Sequence, residues 1–281
     1  MRYGIIISLS NVRDLVDAAC DAEAAGWDGV FVADALAIGT DKFPDMPWFD
    51  PWVALAAIAA RTERIRIGTL LTPPSRRRPW KLAREVATLD QLSNGRMILS
   101  AGLGAAEHDG GFFKVGEAMD LKTRAQLLDE SLDILAGLWS GKPFSYAGQH
   151  YHIDRMSMLP PPVQQPRVPM WVVGVWPKEK SMQRALKWDG LIAQRYGASP
   201  SDGRLTPDEV RTIKAYVDEH RQAATPFDIL SGGSTLGKSR KRAKEMVRSY
   251  IEAGATWWVE ENWASEEKLR AHVRQGPPRV E

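Results

Sequence analysis

Short apolar, β-branched runs recur along the chain, separated by longer stretches with helical periodicity. The runs are Tyr3 to Ser8, Gly29 to Ala33, Ile65 to Leu71, Met97 to Ala101, Met170 to Val175, Gly190 to Ala193, Asp228 to Ser231 and Trp257 to Val259. They are apolar almost throughout instead of alternating in and out, the pattern of strands covered on both faces, so they predict a parallel sheet wrapped in helices. Between them, Leu15, Val16, Ala18, Ala19 and Ala22 form one helical face before Gly26, and Leu82, Val86, Leu89 and Leu92 form another before the stop at Asn94-Gly95. Further amphipathic segments run over Arg124 to Trp139, Ser181 to Trp188, Pro207 to Arg221, Arg240 to Ala253 and Glu266 to Val273.

Eight β-then-α units predict an α/β chain closed as a (β/α)8 TIM barrel, although a doubly wound open sheet has the same local grammar. One segment breaks the rhythm. Residues 141–169 contain FSYAGQHYHI and LPPPVQQPRVP, too proline-rich for helix and too long for an ordinary connection, which suggests an excursion over the barrel mouth.

The 281 residues match the size of one such barrel, so a single domain over 1–281 is expected. The formal charge of +2 is too small to aim the whole molecule at nucleic acid or a membrane. Cys20 is the sole cysteine, which excludes an internal disulfide and fits a reducing, cytoplasmic compartment. The start MRYGIIISLSNVRDL does not read as a leader, and no apolar run is long enough to span a bilayer; the chain reads as soluble and unprocessed.

In this architecture chemistry belongs at the carboxyl ends of the strands. The residues there are Ser8, Asp34, Thr72, Gly102 to Glu107, Gly174 to Trp176, Arg195 with Tyr196, Ser231 to Ser234, and Glu260 with Glu261. In GLGAAEHDGGFF, Gly102 to Phe113, a G-x-G lets backbone approach a ligand, and Glu107, His108 and Asp109 offer proton-transfer or hydrogen-bonding groups. The third glycine of a dinucleotide fingerprint is missing there, replaced by Glu107, which rejects a Rossmann reading. In VGVWPK, Val173 to Lys178, free backbone donors and the Lys178 ammonium offer a phosphate site, and Trp176 a cover for an apolar ring. A plain turn with solvated charges is the alternative reading of both segments. The run Arg76-Arg77-Arg78 reads as a solvated loop or a subunit-contact face. No spacing of the five histidines and Cys20 matches a metal site, and Cys20 reads as a small packing residue.

The stretch IRIGTLLTPPSRRRPWKLAREVATLDQLSNGRMILSAGLG, residues 65–104, resembles the third strand, third helix and fourth strand of the luciferase-like monooxygenase superfamily of flavin and deazaflavin enzymes, with TLDQLSNGR the most specific element. The region from Arg124 through ALKWDGLI and the opening GWDGVFVAD also match in order and spacing. The resemblance implies the (β/α)8 fold and a tricyclic ring resting on a bulge near Leu71 and Thr72, where members often carry a cis peptide. It implies that the ring and its tail pass Gly102, Leu103, Gly104 and Glu107, with phosphate near Val173, Gly174, Val175, Trp176 and Lys178. Members often have a histidine after the aspartate ending the second strand, where Ala35 stands here, and luciferases an arginine where Ala105 aligns. Asp34 and His108 are therefore the candidates for proton transfer, and Trp48, Trp52 and Trp176 for an apolar substrate pocket.

The resemblance implies an oxidoreductase of monooxygenase type using FMN, acting on a small organic molecule, with a separate flavin or deazaflavin reductase as a candidate partner and a homodimer as the assembly. The alternatives are a deazaflavin (F-420) hydride-transfer enzyme and a cofactor-free binding protein, the latter suggested by the missing histidine and arginine and by a short loop from Gly197 to Leu205. A metal-dependent hydrolase would need more than Glu260 and Glu261.

Overall fold

The computed structural model describes residues 1–38, 47–197, 204–261 and 265–280. Its strands are β1 (Arg2–Ile6), β2 (Gly29–Val32), β3 (Arg66–Thr69), β4 (Met97–Ala101), β5 (Phe144–Ala147), β6 (His152–Met156), β7 (Met170–Trp176), β8 (Gly190–Arg195), β9 (Asp228–Gly233) and β10 (Trp257–Glu260). All but β5 and β6 pair in parallel and close in the order β1-β10-β9-β8-β7-β4-β3-β2. Closure removes the doubly wound alternative, and every apolar run expected as a strand takes part in the barrel.

The helices are α1 (Val12–Ala24), α2 (Pro51–Arg61), α3 (Pro79–Leu92), α4 (Gly110–Phe113), α5 (Leu121–Trp139), α6 (Glu179–Leu186), α7 (Pro207–His220), α8 (Arg240–Glu252) and α9 (Glu266–Gln275). α2 is absent from the helices that periodicity predicts, because VALAAIAA is apolar nearly all round and carries no visible stripe. Its start is nonetheless well marked: the Asp50 carboxylate accepts from the backbone N–H of Trp52 and Val53, and Pro51 stands in the first turn.

Two apolar layers follow from the strand alternation. Inside the barrel, Ile6, Phe31, Ile98, Trp171, Leu230, Trp257 and Val259 form a plug, with the Trp171 and Trp257 rings 5.0 Å apart between centroids. Glycines on neighbouring strands make room for it: a Cβ on Gly4 would fall 2.7 Å from the Phe31 ring, and one on Gly190 2.4 Å from Trp171. The larger second layer lies between barrel and helices, and includes Leu15, Leu55, Ile58, Val86 and Leu132.

Residues 141–169 do not lie over the mouth. β5 and β6 pair antiparallel and pack on α5: the backbone N–H groups of Gln149, His150 and Tyr151 donate to the buried Glu130 carboxylate. Further on, Arg84 and Gln91 of α3 hold the Leu159 and Pro161 carbonyls, and Gln164 bonds the buried Asp90 and the Met97 carbonyl. The excursion therefore runs along α3 and α5 towards the amino ends of the strands. Polar partners on those helices, invisible to local pattern, decide its course.

Candidate active site

A cavity of about 560 Å³ opens at the carboxyl ends of the strands. Its floor is the top of the barrel plug, through Leu70, Ile192, Leu230 and Val259. One wall begins where β3 ends at Thr69. The chain bulges through Leu70 and Leu71, joined by a cis peptide, before Thr72 re-enters the sheet with its N–H on the Ser100 carbonyl at 2.9 Å. The bulge the resemblance implies is thus present, and both leucines line the cavity.

Beside it, Gly102, Leu103 and Gly104 leave β4. A Cβ on Gly102 would stand 2.8 Å from Val173 Cγ2 and 3.2 Å from both Leu71 methyl carbons, and one on Gly104 2.9 Å from Phe112 and Pro73. Gly104 also has φ +75°, a conformation that favours glycine. From α5, the buried Arg124 guanidinium donates to the carbonyls of Leu103 (2.8 Å) and Gly104 (3.1 Å), which fixes this turn from behind.

Asp34 is buried and lines the cavity. Arg77 grips it twice, Nε to Oδ2 at 2.9 Å and Nη2 to Oδ1 at 2.7 Å; Arg76 Nη2 reaches Oδ1 at 3.0 Å, and the Thr72 hydroxyl donates to Oδ2 at 2.9 Å. Arg76 also reaches Asp109 at 3.4 Å. Asp109 in turn accepts from the N–H groups of Leu36, Ala37 and Gly111. The expectation of a solvated arginine run is thus corrected: Arg76 and Arg77 are drawn inward by two buried carboxylates, and only Arg78 stays exposed.

Other expected residues divide. Val173 and Val175 line the cavity. Gly174 points the opposite way, towards Leu191 and Met182, as strand alternation requires. Glu107 and His108 are exposed and do not line the cavity. Trp176 stacks edge-on with Tyr216, and the Lys178 ammonium sits 3.6 Å from the Tyr196 ring centre. The Val175 N–H, a donor offered for phosphate, bonds Ser181 Oγ instead. Trp48 lines the cavity, whereas Trp52 lies beneath the Arg77 guanidinium. Residues 198–203 of the Gly197 to Leu205 loop fall outside the described residues. Cys20 is half-buried, and burial pushes its thiol up, away from nucleophile character.

The opposite wall is more polar than the sequence reading anticipates, with Ser181, Arg184, Gln194, Arg195, Ser231 and Glu261 facing the cavity. Arg184 is held by Asp129 of α5. Arg195 makes a two-pronged pair with Glu209, Nε to Oε1 at 2.9 Å and Nη2 to Oε2 at 2.5 Å, and Glu209 also closes the capping box of α7 with Thr206. Hydrogen bonding from Arg195, joined by the Thr206 backbone and hydroxyl, outweighs desolvation and holds the Glu209 carboxyl down to about 2. A depressed carboxylate stabilises the fold above its ordinary value of 4.5, and that contribution is lost as pH falls towards about 2. Glu209→Gln is therefore expected to flatten the acid side of the stability profile in that window. Urea denaturation of both proteins at several acid pH values checks this; parallel profiles would refute it.

A family model described as luciferase-like monooxygenase matches residues 1–279. The chain belongs to this family of oxidoreductases. Among curated relatives, an "F420-dependent glucose-6-phosphate dehydrogenase" of Nocardia farcinica is 34% identical over 240 residues, covering 85% of this chain and 64% of the relative. Its namesake in Amycolatopsis mediterranei is 34% identical over 168 residues, 59% of this chain and 48% of the relative. The chain thus spans about half to two thirds of the length of these relatives. Among solved structures, an F420-dependent secondary alcohol dehydrogenase superposes with TM-score 0.75 at 18% identity, covering 97% of each chain. An EDTA monooxygenase from Chelativorans sp. BNC1 also gives TM-score 0.75, at 17% identity, covering 98% of this chain and 92% of its own. At these identities the structural likeness speaks for the fold.

Proposed function

We propose that the cavity holds a deazaflavin coenzyme of the F-420 type and that the protein moves a hydride between it and the hydroxyl-bearing carbon of a small organic substrate. The observation that carries the reading is the apolar slot lined by the Leu70-Leu71 bulge, Gly102 and Val173, where Leu71 and Val173 close in over Gly102 because it carries no side chain. The slot has the character a flat tricyclic ring needs. Two buried polar atoms facing the same cavity, Ser231 Oγ and Trp48 Nε1, have no hydrogen-bond partner among the described residues, which fits a ligand that supplies one.

Leu71, Gly102, Leu103, Gly104 and Val173 would hold the ring, and Ser181, Arg184 and Arg195 on the polar wall would face its phosphate-bearing tail. When bound, a deazaflavin supplies a two-electron hydride acceptor without productive oxygen chemistry. The plug beneath closes the cavity floor against water, and Arg124 keeps the Leu103-Gly104 turn in place. The curated relatives favour deazaflavin over FMN, the first expectation from sequence. FMN with a monooxygenase reaction is the second reading, in keeping with the family description and the EDTA monooxygenase fold.

Fluorescence titration of apo-protein with coenzyme F-420 and with FMN separates the two. Tight deazaflavin binding alone supports the proposal, FMN binding alone moves the protein to the second reading, and binding of neither rejects both in favour of a cofactor-free binding protein. Gly102→Val is expected to weaken coenzyme binding at least tenfold, about 1.4 kcal/mol, and to lower the thermal midpoint as well, because its side chain displaces Val173 and Leu71. Unchanged affinity would show that the ring does not use this slot.

A further inference from the structure

Among the described residues, the charged side chains lining the cavity are Asp34, Asp109, Arg184, Arg195, Arg204 and Glu261. Four are already engaged: Asp34 and Asp109 with Arg76, Arg184 with Asp129, and Arg195 with Glu209. Both Asp34 oxygens are occupied, by Arg77, Arg76 and the Thr72 hydroxyl, which leaves neither turned to a substrate. Glu261 is different. It directly follows β10 and makes no side-chain hydrogen bond or ion pair with a described residue. Its carboxylate lies over β9, where a Cβ on Gly232 would come within 2.5 Å of Oε1. Glycine at that position is what leaves room for the group, and the Ser231 hydroxyl, without a hydrogen-bond partner among the described residues, also lines the cavity.

Its neighbour in sequence shows that this exposure to the cavity is particular to Glu261. Glu260 points the other way and is fully enclosed, accepting from the Thr235 N–H and hydroxyl and from Trp258 Nε1, with His272 Nε2 at 3.5 Å. Burial pushes Glu260 up, but these partners outweigh it and hold the carboxyl below its ordinary value.

We propose that Glu261 is the acid–base residue of this site, its carboxylate accepting the proton of a substrate hydroxyl during oxidation to a carbonyl. The inference rests on the hydride-transfer reading above. Oxidation of a C–OH carbon breaks the C–H bond, whose electron pair leaves as hydride to the deazaflavin-class acceptor, and breaks the O–H bond, whose pair forms the new C=O bond. The remaining proton needs a base at the substrate oxygen, and among the described residues Glu261 is the cavity carboxylate that no side-chain hydrogen bond or ion pair occupies. Desolvation pushes its carboxyl up, opposed by the positive Arg204 and reinforced by the negative Glu260, which brings a carboxylate closer to the working pH of a general base.

The test compares wild type, Glu261→Gln and Glu261→Asp. Infrared titration of the apo-proteins is expected to show one carboxyl titrating above the ordinary glutamate value of about 4.3 in wild type and missing from the Gln variant; no such difference overturns the proposal. Coenzyme F-420 fluorescence is expected to give matching affinities for all three. Single-turnover oxidation of glucose 6-phosphate or 2-propanol is expected to fall at least about 100-fold in Glu261→Gln, with partial recovery in Glu261→Asp. Wild-type rates in the Gln variant would reject Glu261 while leaving the coenzyme reading intact. A wild type that binds coenzyme but oxidises neither alcohol rejects hydroxyl oxidation, and with it this role.

Discussion

Arg96→Ala is expected to lose about 4 kcal/mol of stability, a fall in thermal midpoint of roughly 8 °C or more for a chain of this size. Arg96 closes the TLDQLSNGR stretch and is buried at the amino ends of the strands, far from the cavity. Its guanidinium donates five hydrogen bonds: to the Ser93 carbonyl at 2.7 Å, the Thr62 hydroxyl at 2.8 Å, and the carbonyls of Ile65 (2.9 Å), Ala59 (2.9 Å) and Thr62 (2.8 Å). It thus joins the end of α2, the entry to β3 and the turn after α3. Truncation leaves those carbonyls buried without donors, and each orphan costs about 1–3 kcal/mol before relaxation and water entry. Arg96→Lys is expected to regain only part, since an ammonium cannot span the same partners. Urea denaturation at neutral pH measures the loss. A change within about 0.5 kcal/mol, the usual range for surface substitutions, would contradict this account.

Asp34→Asn is expected to cost about 3 kcal/mol and to weaken coenzyme binding, while leaving the shape of the pH–rate profile unchanged. The amide keeps the volume of the carboxylate but leaves the Arg77 guanidinium, which grips both its oxygens, without a counter-ion and the Arg76 guanidinium with Asp109 alone. Breaking one side of a buried charge network is costly because the remaining charge stays desolvated. The displaced arginines border the Thr72 end of the bulge, so its position against the cavity shifts with them. Were Asp34 itself the proton acceptor, a limb of the pH–rate profile would vanish in the variant. Comparison of that profile with the one for Glu261→Gln assigns proton transfer to one residue or the other.

The TLDQLSNGR element, quoted first as a resemblance, acquires a physical meaning in three dimensions. Asp90 anchors the excursion through Gln164, Asn94 and Gly95 turn the chain with φ of 54° and 78°, and Arg96 ties three elements together. The specificity of the motif is that of a structural knot at the bottom of the barrel, and it says nothing direct about the reaction.

Local pattern alone determined the eight strands, their parallel arrangement and most of the helices, because burial on both faces and a 3.6-residue period are properties of neighbours in sequence. It also pointed to the Gly102-Leu103-Gly104 turn that lines the cavity, since a glycine pair at a strand end is visible without knowing what lies opposite. Tertiary structure decided the rest. Arg76 and Arg77 read as solvated until Asp34, some forty residues earlier, meets them across β2 and β3. Glu260 and Glu261 read alike, and only the barrel turns one carboxylate towards His272 and Thr235 and the other into the cavity. In each case the deciding partner is distant in sequence, and the free energy of a buried charge depends on that partner far more than on the residues beside it.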